Sequence, residues 1–215
     1  MKRSVLVAGA TGLIGSAVVE LALMDQRFNR VITWGRRPVP KTSGVEHWGP
    51  GQTNLEEGLK NDPIDAVICC LGTTMRNVKG DKQAFLHVDK ELVLALARWA
   101  QGVDRRFCVV SALGADPRSM FFYNRVKGEV EAELLRLSFQ ALHIFQPSIL
   151  DGPRLENRPG ERVGLAAMKF LAPLLPAASR PMPYRTLAQA LVNVAAGGDT
   201  GTHVHTYRSI VELAR

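Results

Sequence analysis

Tyr123 and Lys127 stand four residues apart in "FFYNRVKGEVE", and Ser111 stands twelve residues before the tyrosine. On a helix, a spacing of four puts two side chains on one face. A phenol titrating near pH 10 is a poor proton donor or acceptor at pH 7 until a cation stabilises its phenolate. A lysine one turn away supplies that cation and can also hold a cofactor's ribose. A serine at the end of a strand can bond a substrate oxygen beside the phenol. These three types fit hydride transfer between a nicotinamide and a carbonyl carbon, with Tyr123 giving or taking the proton. A Tyr-x-x-x-Lys spacing is common, so the reading needs a cofactor site elsewhere in the chain.

That site is offered by "SVLVAGATGLIGSAVVELAL", which begins at Ser4. A run of small and β-branched apolar residues breaks at Gly9, Gly12 and Gly15 and resumes with helical spacing. One glycine lets the chain turn, one lets a pyrophosphate approach the backbone, and one lets helix and strand pack closely. The anion then rests on free N–H groups at the helix N-terminus, those of Leu13, Ile14 and Gly15, and Thr11 adds a hydroxyl. The spacing Gly-x-x-Gly-x-x-Gly departs from the commoner Gly-x-Gly-x-x-Gly. It also lacks the Gly-Lys-Ser/Thr ending of an ATPase phosphate loop. In a dinucleotide site, a carboxylate about 20 residues further on favours NAD through the ribose 2′-hydroxyl. Here that place reads "TWGRRP", with no acid between Asp25 and Glu46. Arg36 and Arg37 suit a 2′-phosphate, so the expected cofactor is NADP(H).

These residues need elements to position them. Short apolar runs predict strands at Val5–Ala8, Arg30–Trp34, Val45–Trp48, Ala66–Leu71, Phe107–Ala112 and Leu142–Pro147. Most are too apolar to alternate, as parallel strands covered on both faces are. Helices are predicted at Leu13–Met24, Asn54–Lys60, Lys82–Gln101 and Arg118–Leu137. In the third, Phe85, Val88, Leu92 and Leu96 mark one buried face. Such alternation gives an α/β fold, a doubly wound parallel sheet. We expect one domain over residues 1–215. After Pro147 a long Pro/Gly-rich loop, helices near Arg162–Leu174 and Arg185–Ala196, and a strand from Thr202 predict a small C-terminal cap over residues 148–215 that walls the substrate.

Composition narrows the class. Lys+Arg 27 against Asp+Glu 20 gives a net charge of +7, but the basic residues are scattered, with no stripe and no aromatic interleaving for nucleic acid. Cys69, Cys70 and Cys108 all fall in apolar strand runs and read as core residues, not a disulfide framework. His203 and His205 share a strand face but lack a third ligand, so no metal site is expected. Strand begins almost at the N-terminus, and Val163–Leu175 is too short to span a bilayer, which predicts a cytoplasmic protein without membrane insertion.

The combination "GATGLIG", "GRRP", "CLGTT", "VSALGAD", "YNRVKGEVE" and "NRPGER" resembles the short-chain dehydrogenase/reductase superfamily. Within it, the chain is similar to the atypical branch that holds the Tat-interacting oxidoreductase-like (metastasis suppressor) family. The match runs from the first strand to about Arg162. The resemblance implies a Rossmann fold that binds NADPH, with Gly9, Gly12 and Gly15 as the pyrophosphate loop and Arg36 and Arg37 on the 2′-phosphate. It implies Leu71, Gly72 and Thr73 beneath the ribose, Pro147 to Ile149 facing the carboxamide, and Ser111, Tyr123 and Lys127 as the catalytic set. Many members carry an asparagine on the long helix after the fourth strand, and His87 is read as holding that place here.

Two functions remain open at this point. One is an NADPH-dependent oxidoreductase acting on a small carbonyl or alcohol. The other is a non-catalytic NADPH-binding sensor acting through protein partners, which the resemblance keeps in view. A homodimer or a protein partner is compatible with both. A kinase is excluded, since the chain has no His-Arg-Asp loop and no Asp-Phe-Gly.

Overall fold

The computed structural model describes residues 2–39, 44–49, 63–101, 105–152 and 180–215. The predicted helix at Asn54–Lys60, that at Arg162–Leu174 and the "NRPGER" segment lie outside the described residues.

Seven parallel strands form one sheet in the order β3-β2-β1-β4-β5-β6-β9. They are β1 (Arg3–Ala8), β2 (Phe28–Trp34), β3 (Val45–Trp48), β4 (Ala66–Cys69), β5 (Arg106–Val110), β6 (Ala141–Phe145) and β9 (Gly201–His205). The order reverses at β1, and beyond the strands' carboxyl ends at such a reversal lies the crevice where open sheets bind ligands. Alternate residues of β1 go to opposite faces, and both faces are buried. Val5 and Val7 pack with α1 (Leu13–Met24), while Leu6 and Ala8 pack with the helices of the other layer. That double burial explains why the strand runs are continuously apolar.

The other layer contains α2 (Lys82–Leu86), α3 (Leu92–Gln101) and α4 (Phe122–Arg136). The sequence predicts a single helix over Lys82–Gln101, but its middle, His87–Glu91, is a π turn, with the Leu92 N–H bonded to the His87 carbonyl. The wider turn shifts the inward face by a residue. Asp89 and Val93 are buried, whereas Val88 and Leu92, expected inside, are only half-buried. Single π turns of this kind concentrate at functional sites.

The described part of the C-terminal third packs on the sheet. Helix α5 (Tyr184–Ala196) appears as predicted, but it lies on the sheet with α1, burying Leu187, Leu191 and Val194 in the same core. Strand β9 extends the sheet beside β6, and α6 (Tyr207–Leu213) follows it. An apolar stripe this wide must face the core, not a ligand. Among the described residues of this third, β7 (Leu150–Asp151) also pairs with β8 (Met182–Pro183).

Candidate active site

Strand register brings the predicted residues to one edge. Ala8 pairs with Trp34 on one side and with Cys69 on the other, Cys69 pairs with Val109, and Val110 pairs with Phe145. The chain leaves these positions into Gly9, Arg36 and Arg37, the Leu71–Gly72–Thr73 strip, Ser111 and Pro147, all at carboxyl ends of strands.

The glycine turn is built as a cradle. Gly9 has φ +78°, and a Cβ there would meet the Cys70 carbonyl oxygen at 2.6 Å; one on Gly15 would lie 2.2 Å from the Gly9 oxygen. Thr11 and Gly12 are exposed, no side chain caps α1, and its first turn carries no acid. The first N–H groups of α1, at Leu13, Ile14 and Gly15, thus sit at the positive end of a helix whose own first turn brings no negative charge, which fits a pyrophosphate. Gly15→Ala will therefore cost about 1–3 kcal/mol or more in urea denaturation, because backbone must shift. Gly12→Ala, whose Cβ would meet the Gly9 oxygen at 3.3 Å, will cost less.

Beyond the turn, the strip after β4 leads directly to the predicted catalytic helix. A Cβ on Gly72 would lie 3.5 Å from Asp89 Oδ1 and 3.8 Å from Lys127 Nζ. Lys127 Nζ pairs with Asp89 Oδ1 at 2.9 Å, and both side chains are nearly or wholly buried. The other Asp89 oxygen accepts the Thr73 N–H at 2.7 Å. Burial opposes the Lys127 charge, but Asp89, with smaller contributions from Tyr123 and Cys69, holds its pKa above the ordinary lysine value. Tyr123 rests edge-on against buried Phe85, with Lys127 Nζ 5.9 Å from its ring centre. Phe122, Tyr123 and Lys127 belong to the α4 that the sequence places here, although the helix begins at Phe122, not Arg118.

Ser111 is at the predicted strand end, yet its hydroxyl donates to Glu131 Oε1, not to Tyr123. Gln146 Nε2 donates to both Glu131 oxygens, at 3.0 and 2.9 Å. Asp89, Ser111, Lys127 and Glu131 line one small cavity beneath α4. Pro147 and Ile149 spend their carbonyls inside the fold, on the Leu113 and Met182 N–H groups. Arg36 and Arg37 are exposed just beyond β2.

One expectation changes. His87 is exposed and pairs with Glu91 at 2.9 Å, so it does not reach this site. Asp89 occupies the inward place, which the sequence period hides because the π turn breaks it. Glu131 and Gln146 were also missed, since a glutamate on an amphipathic helix ordinarily reads as solvated. Among the described residues no group of three or more His, Cys, Asp or Glu is arranged to hold a metal ion. The three thiols are free, and burial pushes Cys69 up to about 11 and Cys108 to about 12, so they remain protonated core groups.

The sequence profile of the NAD dependent epimerase/dehydratase family matches residues 5–118, which span β1 through β5. The chain belongs to that family. Rat protein HTATIP2 is 34% identical over 201 residues, covering 89% of this chain and 80% of that protein. The mitochondrial protein FMP52 of Eremothecium gossypii is 34% identical over 196 residues, covering 90% and 83%. Among solved structures, MoeE5 in complex with UDP-glucuronic acid and NAD superposes with a TM-score of 0.71 at 19% identity, covering 97% of this chain and 80% of that one. At that identity the likeness shows the fold. The expectation of a cytoplasmic protein does not stand, because several fungal relatives are named mitochondrial proteins. Among the described residues no helix is long and apolar enough to cross a membrane.

Proposed function

We propose that this family member is an NADP(H)-dependent oxidoreductase, with Tyr123 as the acid and base of hydride transfer at a carbonyl carbon. The observation that carries the reading is the continuous path from the Gly9 turn, past Cys70 and Gly72, to the buried Lys127 one turn from Tyr123. Bound NADP(H) would supply or accept the hydride. The α1 N-terminus would hold its pyrophosphate, Leu71 to Thr73 would floor its ribose, Lys127 would reach the ribose hydroxyls, and the Ile149 N–H, its carbonyl being engaged, would meet its carboxamide. Tyr123 would move the proton at the substrate oxygen.

Several exposed apolar side chains stand close to Tyr123 in the chain or through hydrogen bonds. Met120 and Phe121 are 94% and 75% exposed, and Leu113 and Ile149 are exposed nearby. Asn124 Nδ2, next to Tyr123, holds the Leu113 and Gly114 carbonyls at 3.2 and 2.8 Å, and the Leu113 N–H bonds Pro147, two residues before Ile149. Exposed apolar side chains gathered at a polar site favour a small carbonyl or alcohol with an apolar body.

The first test is a fluorescence titration with NADPH and NADH. Arg36→Ala will weaken NADPH about ten- to a hundredfold, the loss of one charge-assisted contact, and leave NADH unchanged. Equal loss of both would remove the 2′-phosphate role. Turnover of an apolar carbonyl panel, lost in Tyr123→Phe, tests the chemistry.

The engaged Ser111 hydroxyl favours a second reading, an NADPH-binding regulator that acts through protein partners or as a homodimer. Tight NADPH binding with no turnover across the panel would decide for it.

A further inference from the structure

Asp89 is a carboxylate with no exposed surface, and it makes two contacts of different kinds. One is the ion pair to Lys127; the other fixes Thr73 of the strip next to it. An isolated lysine one turn from a tyrosine is a bare cation that draws the phenol toward phenolate. A lysine paired at 2.9 Å in a dry site presents the phenol with a nearly neutral dipole instead, because the two charges act on it with opposite sign.

The other groups around the pair reinforce this. Glu131 from α4 adds a second carboxylate to the same cavity. Cys69 from β4 stays a neutral thiol. Lys90 of the π turn is taken by Glu129 of α4 at 2.6 Å, and Glu91 by His87 on the exposed side. Lys82 and Arg125 lie over the ring of Phe122 beside Tyr123, toward solvent, while inside the fold Asp89 offsets Lys127 before the Tyr123 phenol ionises. Ionising it would add another negative charge.

We propose that Asp89 is a positioning residue that cancels the Lys127 charge and so keeps Tyr123 a phenol at neutral pH, which biases the site toward carbonyl reduction. This rests on the oxidoreductase reading for its direction, though not for its electrostatics. In the reductive step Tyr123 gives its proton to the carbonyl oxygen as the carbon accepts hydride from reduced nicotinamide. The C=O π bond gives way to new C–H and O–H bonds while the C–O single bond stays, the nicotinamide is left oxidised, and the phenolate regains its proton from solvent. A phenol is the form that step needs, whereas alcohol oxidation needs the phenolate.

The test reads Tyr123 directly by NMR of protein carrying 13C at the tyrosine ring carbon that bears oxygen. The resonance is assigned with Tyr123→Phe and titrated in wild type and Asp89→Asn. Asparagine keeps the Thr73 contact and removes the charge, so Tyr123 will titrate at least about one unit lower. An unchanged titration would overturn the proposal and leave Asp89 a purely structural group. Should Asp89→Asn fail to fold, the charge-neutral double variant Asp89→Asn/Lys127→Met decides. Tyr123 will then titrate as in wild type if the pair is mutually cancelled, and more than about one unit higher if Lys127 acts as a bare cation. Neither measurement requires turnover. A protein that reduces no carbonyl would sink the enzyme reading while leaving this result standing. In an active protein, the pH limit of alcohol oxidation will move down with Asp89→Asn, by the same shift as the tyrosine.

Discussion

Tyr123→Phe will lower carbonyl turnover by about 10²–10⁴-fold, the usual worth of a positioned general acid, while NADPH binding stays within a few-fold of wild type. The separation is expected from the geometry. Tyr123 stands half exposed at the start of α4, with its ring against Phe85 and its hydroxyl in no hydrogen bond among the described residues. Phenylalanine keeps that ring contact, so little folding energy is lost. The cofactor cradle at Gly9, Gly15 and the α1 N-terminus involves other residues and is undisturbed. Lys127→Met will behave differently, lowering turnover and NADPH affinity together, because the lysine is assigned to both the phenol and the ribose. It also strands Asp89 as an unpaired buried carboxylate, and stability will fall with it. Steady-state rates beside a binding titration and a melting curve separate the two variants. A Tyr123→Phe protein that turns over like wild type would end the assignment of the acid to this residue.

The parts of this site that the sequence makes legible are those governed by local rules. A glycine that must turn and a helix that must approach a strand leave their mark within seven residues, Gly9 to Gly15. Tyr123 and Lys127 are on one face because both lie in one unbroken helix. The doubly wound parallel sheet follows from the alternation of short apolar strands with amphipathic helices, and it came out as expected. What escaped depends on departures from periodicity or on partners distant in the chain. The π turn at His87–Glu91 moves the inward position from the expected face to Asp89, so a histidine two residues away was read into its place. Ser111 stands at the strand end where the sequence places it, but the direction of its hydroxyl is set by Glu131, twenty residues on, which Gln146 on another element holds. Helix α5 was located correctly and assigned to the wrong role. Its apolar stripe says that it must be buried, and only the tertiary structure says against what.

The histidines of the last two sheet strands lead to a second large effect, on stability. His143 of β6 and His205 of β9 face each other, with Nδ1 and Nε2 at 3.0 Å and rings nearly parallel; His203 stacks on His143 at 4.8 Å. One nitrogen of the close pair must donate and the other accept, so the contact cannot survive with both rings protonated. Burial, the neighbouring His205, Arg106 and His203 push His143 down to about 3. Burial and His203 push His205 down to about 4, against the opposing pull of Asp199. In the unfolded chain both titrate near 6.5. Between that value and the depressed ones the unfolded state binds protons that the folded state refuses, so stability rises with pH across this window. Acidifying from about pH 7 to about pH 4 will therefore remove stability, on the order of a few kcal/mol for the two rings together. For a chain of this size that is a fall in melting temperature of about 10 °C. The double variant His143→Leu/His205→Leu carries no such protons. Whatever its melting temperature at neutral pH, its decline between pH 6.5 and 4 will be shallower than that of wild type. Parallel declines would mean that acid sensitivity comes from the carboxylates, and that the stacked histidines tolerate their protons where they sit.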